Sequence, residues 1–65
     1  MTLQEFRAKG FIVGREFTVE GISFWVDKDR GGRYFSTFIN GKQVTRATAD
    51  TISKMIEEEV RRSRI

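Results

Sequence analysis

Residues 22–47 read ISFWVDKDRGGRYFSTFINGKQVTRA, and this stretch decides the fold. It predicts three short strands joined by two tight turns. Asn40-Gly41 is the strongest local hairpin signal, because a type I′ turn needs positive φ at both central residues. That turn pairs Ile39 with Lys42 and Thr37 with Val44. Arg30-Gly31 reads as a second two-residue turn, pairing Asp29 with Gly32, Val26 with Phe35, Phe24 with Thr37 and Ile22 with Ile39. Just upstream, Glu20-Gly21 pairs Val19 with Ile22 and Phe17 with Phe24.

The three registers agree with one another. Side chains alternate faces along a strand and opposed residues share a face. One face then collects Phe17, Val19, Ile22, Phe24, Val26, Phe35, Ile39 and Val44, which makes it the core face. The other collects Glu16, Thr18, Ser23, Trp25, Asp27, Tyr34, Ser36, Phe38, Gln43, Thr45 and Ala47, a polar set with three aromatic residues in it.

Outward from this sheet, Thr2-Leu3-Gln4-Glu5 matches a capping box and Gly10 stands where a C-cap glycine belongs. The spacing predicts a helix from Leu3 to Lys9 with Leu3 and Phe6 inward. From Phe11 the pattern is that of a strand, with Phe11, Val13, Phe17 and Val19 alternating and a bulge expected near Gly14. After the sheet, Thr48 or Asp50 can cap a helix whose Ile52, Met55, Ile56 and Val60 recur on one face. Glu57 and Glu58 stand four residues before Arg61 and Arg62, a favourable order for ion pairs. The expected fold class is α+β. It comprises a short N-terminal helix, an antiparallel β-meander of three to four strands, and a C-terminal helix packed on one sheet face. All of it forms a single small domain over residues 1–65.

Sixty-five residues leave little core. A chain of this length buries about 60% of the surface its unfolded form exposes. The chain has no Cys and no His, so disulfides are excluded and the common zinc sites are absent. No cofactor is implied. There is no membrane-length apolar run and no signal-peptide pattern, so the cytoplasm is the expected compartment and no membrane partner is expected. Twelve Lys and Arg against nine Asp and Glu give a net charge of +3, which tilts toward an anionic partner.

Catalysis has little to work with. No His or Cys can serve as base or nucleophile, and Ser and Thr lack an activating base. Asp27 and Asp29 have no third ligand to complete a metal site. A non-catalytic protein is expected.

The binding signals are two. Trp25, Tyr34 and Phe38 on an open sheet face can stack bases or anchor a protein interface. The structural alternative is a second small core under the N-terminal helix. The basic residues Lys28, Arg30, Arg33, Lys42 and Arg46 can meet phosphates, or simply keep turns and strands soluble. Arg61, Arg62 and Arg64 form a basic tail with the same two readings.

Phe24-Trp25, Arg33-Tyr34, Gly41-Lys42 and the Thr48 helix start carry a likeness of layout. A three-stranded sheet followed by a helix is similar to the arm-type DNA-binding domain of tyrosine recombinases, over roughly half the chain. The bulky residue usual before the helix-start threonine in that family is Ala47 here. Lys and Arg are scarce on the second sheet face.

The leading expectation is therefore a nucleic-acid-binding accessory protein, with DNA or RNA as partner, using an aromatic sheet face and basic loops. The rival is a small phage or mobile-element inhibitor or adaptor. It would bind a host protein, such as a defence complex, through the same aromatics, or meet an acidic protein surface. A homodimer that pairs these faces is the third.

Overall fold

Thr2 and Glu5 open the fold by satisfying each other. In the computed structural model, which describes residues 1–63, the Glu5 N–H donates to the Thr2 hydroxyl at 3.1 Å and the Thr2 N–H donates to Glu5 Oε1 at 3.1 Å. Hydrogen bonding to the carboxylate by Thr2, through its backbone N–H foremost and then its side chain, holds the Glu5 carboxyl below its ordinary range. Helix α1 spans Leu3–Lys9 and ends at Gly10, whose φ of +79° suits a residue without Cβ. Leu3 and Phe6 are buried, and the Phe6 ring stacks on Phe17 with centroids 6.4 Å apart. The Leu3 N–H donates to Glu20 Oε2 and the Glu20 N–H to the Met1 carbonyl. Helix α1 is thereby tied to the first hairpin.

The strand expected from Phe11 forms only at its end. Strand β1 is Phe17–Val19, while Val13 makes an isolated parallel bridge to Val26. Gly14 has φ +86° and donates its N–H to the Val26 carbonyl at 2.9 Å. The chain before β1 thus runs along the edge of another strand instead of lengthening β1. Strand β2, Ile22–Phe24, pairs with β1 in the expected register, Phe17 with Phe24 and Val19 with Ile22. Glu20 and Gly21 both have positive φ, at +51° and +85°.

At Trp25 the chain leaves one sheet for another. Strand β3, Val26–Lys28, joins β4, Phe35–Ile39, and β5, Lys42–Ala47, in a three-stranded antiparallel sheet, separate from the β1–β2 ribbon. The pairs expected between Phe24 and Thr37 and between Ile22 and Ile39 do not form. The Thr37 hydroxyl donates to the Trp25 carbonyl at 2.7 Å, which satisfies a backbone acceptor at the crossing point.

The middle hairpin also differs from expectation. Val26 faces Thr37, Asp27 faces Ser36 and Lys28 faces Phe35, two residues away from the register set by an Arg30-Gly31 turn. The loop is longer. The Asp29 N–H donates to the Tyr34 carbonyl at 2.8 Å, and inside that closure the Gly32 N–H donates to the Asp29 carbonyl at 2.9 Å. Gly32, not Gly31, has the positive φ, at +71°. Because the shift is even, every side chain keeps its face. The Asn40-Gly41 turn has φ +51° and +78°, and its pairs are those expected.

Strand β5 carries one irregularity the sequence did not announce. Thr37 faces Val44 but Phe35 faces Ala47, so Ser36 alone stands opposite Thr45 and Arg46. Arg46 has φ +53°. This bulge corrects the placement of Ala47: strict alternation puts it on the open face, yet it is 7% exposed and belongs to the core.

Helix α2, Ala49–Arg62, starts on Thr48, whose hydroxyl accepts from the Thr51 N–H. Ile52, Ile56 and Val60 are fully buried, and α2 packs on β4. Phe24, Val26 and Ile39 are buried with them, while Phe35 is half-buried and meets Phe11 edge-on at 5.2 Å. Arg7 of α1 donates through Nε to Glu57 Oε1 at 2.9 Å, and this bond holds the Glu57 carboxyl below its usual range. Arg62 pairs with Glu58, and Lys54 with Asp50. No helix among the described residues is long and apolar enough to cross a membrane.

Candidate nucleic-acid or partner interface

One face of the three-stranded sheet is covered by α2; the other is open. Val26 and Thr37 face each other toward the core, so their neighbours Trp25 and Phe38 fall side by side on the opposite face. Phe38 in turn faces Gln43. The result is a row of Trp25, Phe38 and Gln43 across the sheet. Asp27 and Ser36, themselves paired, make the next row. Trp25, Phe38, Gln43, Asp27 and Ser36 line one open depression of about 270 Å³. Trp25 is 46% exposed and Phe38 62%. Helix α1 packs elsewhere, on Phe17 and Glu57, and leaves this face uncovered.

Tyr34 does not join this row. It is 41% exposed but lies outside the depression. It lies four positions before Phe38, or about 13 Å along an antiparallel strand. Its backbone carbonyl closes the loop of residues 30–33. The aromatic trio is therefore a pair and a separate third member.

The cations divide as well. Lys28, Phe35 and Ala47 stand level with one another at one end of the sheet. Arg30 and Arg33, in the loop just beyond, and Arg46, one residue before Ala47, gather at that same end, and all are exposed. Lys28 is on the register side of Phe35, not of Trp25, and its Cε runs under Gly32. Lys42 faces Ile39, which puts it on the helix-covered side, in a groove with Val44, Met55, Glu58 and Glu59. It is thus separated from Lys28, Arg30, Arg33 and Arg46 by the length of the sheet, and shares its groove with Arg62. Arg61 and Arg62 are exposed at the end of α2, and Arg64 lies outside the described residues.

Asp27, Ser36 and Gln43 frame the aromatic pair, although sequence reading nominated none of them for the site. Their positions were available: Asp27 is two residues from Trp25, and Gln43 is opposite Phe38 in the hairpin that Asn40-Gly41 fixes. Among the described residues, no group of His, Cys, Asp and Glu is placed to hold a metal ion.

No protein-family model, curated protein or solved structure matches this chain. The likeness of layout to arm-type DNA-binding domains is therefore not accompanied by any match.

Proposed function

We propose that this chain is a small non-catalytic nucleic-acid-binding module that uses the open face and the basic end of its three-stranded sheet. One observation carries the reading. Arg30, Arg33 and Arg46 gather with Lys28 at the end of the same sheet whose uncovered face presents Trp25 and Phe38. Cations that meet phosphates, beside rings that meet bases, are what sequence-tolerant nucleic-acid binding requires. Tyr34 stands at the basic end and can contact sugar or base there. Lys42 has no part in it.

The test uses the chain's only tryptophan, which belongs to the site. Titrating generic DNA and RNA should change Trp25 fluorescence at low salt, and the affinity should fall steeply as salt rises. Absence of binding at low salt rejects the reading.

A second reading, an inhibitor or adaptor that docks on another protein, is favoured by one specific feature. The depression around Trp25 and Phe38 is lined by Asp27, Ser36 and Gln43 and by no Lys or Arg. An aromatic pair in a polar rim is also the make-up of a protein hot spot. Under that reading Trp25→Ala abolishes complex formation while changes at Arg30 and Arg33 only slow association.

A further inference from the structure

We propose that the nucleic acid taken by this surface is single-stranded, with its backbone at the Arg30, Arg33 and Arg46 end and its bases against Trp25 and Phe38. The inference rests on the nucleic-acid reading above and deepens it. Two independent features of the sheet carry it.

The first is the kind of contact the open face can make. Trp25 and Phe38 lie in one row, exposed, with no helix above them. Inside a duplex the bases are stacked on each other and present only their edges, which are read by hydrogen-bonding side chains. Ring faces are of use to a base only when that base is unpaired. The large apolar side chains exposed on this face are therefore suited to single strands.

The second is the one-sidedness of the charge. A sheet that enters a major groove lies between two phosphate ridges, about 12 Å apart, and gains from cations on both flanks. Here four of the cations, Lys28, Arg30, Arg33 and Arg46, stand together at one end of the strands. The next row inward holds Asp27, and the far turn is Asn40-Gly41, whose neighbour Lys42 belongs to the groove under α2. The Asp27 carboxylate repels phosphate and so keeps the backbone away from the aromatic row, leaving that row to bases. One backbone at one end, with bases pointing along the strands, satisfies this pattern. Two backbones do not.

The experiment measures affinity by anisotropy and, in parallel, Trp25 fluorescence for three probes: a short single-stranded oligonucleotide, a hairpin duplex containing the same sequence, and an abasic strand of the same length. The single strand should bind about tenfold or more tightly than either other probe and should quench Trp25, given the usual strength of base stacking on aromatic rings. Equal or tighter binding of the duplex overturns the single-strand inference and leaves the nucleic-acid reading standing. Equal binding of the abasic strand overturns it as well, since the bases would then contribute nothing. No binding of any probe at low salt rejects the underlying reading and the inference with it.

Discussion

The two faces of the three-stranded sheet are made from the same alternating strands and have opposite fates. On one, Val26, Ile39, Ile52 and Ile56 close into a core that excludes water. On the other, Trp25 and Phe38 remain open although they are larger. The difference is one of cover, not of hydrophobicity. Among the described residues only one amphipathic helix of useful length is present, and it takes the face with aliphatic side chains. In a chain with this little core, leaving two large aromatic residues uncovered gives up burial that it could use. That forfeited burial is what the proposed contact with a partner would recover.

The comparison breaks if the two faces respond alike to truncation. Ile56→Ala should have the largest effect, costing about 2–5 kcal/mol of folding free energy as the cavity under α2 opens. Denaturant unfolding monitored by circular dichroism measures this. Trp25→Ala and Phe38→Ala should change the folding free energy by no more than about 0.5 kcal/mol, as for other substitutions at exposed positions, and should reduce partner binding instead. If Trp25→Ala unfolds the chain, the open face is a second core and the site assignment falls.

The turns sharpen the comparison, since they set which residue meets which face. Gly41→Val should cost about 1–3 kcal/mol, because φ is +78° there and a β-branched residue is strained in that region. Gly31→Ala should be nearly silent. Gly31 has no positive φ, and its added Cβ meets open space. A thermal melt of both variants checks that the positive-φ Gly41 is essential and that Gly31 is not.

A small, pH-dependent effect should come from the edge where α1 meets α2. Glu57 is held below its ordinary pKa by the hydrogen bond from Arg7. A depressed carboxyl stabilises the fold at pH values above its unfolded pKa, and that contribution is lost as pH falls through the lowered folded value. Comparing wild type with Glu57→Gln across an acid titration should show a small stability gap near neutrality that closes in acid. A gap that persists at the acid end would mean the carboxylate charge is not what joins the helices.

Much of this architecture was written locally. The Thr2-to-Glu5 capping box, the Glu20-Gly21 and Asn40-Gly41 turns, the Thr48 start and the Ile52, Ile56, Val60 stripe each depend on a few adjacent residues. Each appears in the structure as the chain spells it. The sorting of side chains between core and open face followed from period-two alternation. It survived the wrong middle register because the slip was of two residues.

What tertiary structure alone decided lies where local signals were neutral. The Arg30-Gly31-Gly32 run permits several loop closures, and the closure through Asp29 and Tyr34 was selected by the pairing of β3 with β4. Nothing near Trp25 marks a break. The strand divides there because residues 13 and 14 run along Val26 and the Thr37 hydroxyl satisfies the Trp25 carbonyl, contacts made across long stretches of chain. The bulge at Thr45 and Arg46 likewise answers a packing need: with it, Ala47 and not Arg46 meets the core. Sequence sets what each short segment prefers, because capping, turn strain and alternation act within a few residues. Which edges meet, and hence where Arg30, Arg33 and Arg46 gather and Lys42 is left out, depends on burial and backbone satisfaction summed over the whole fold.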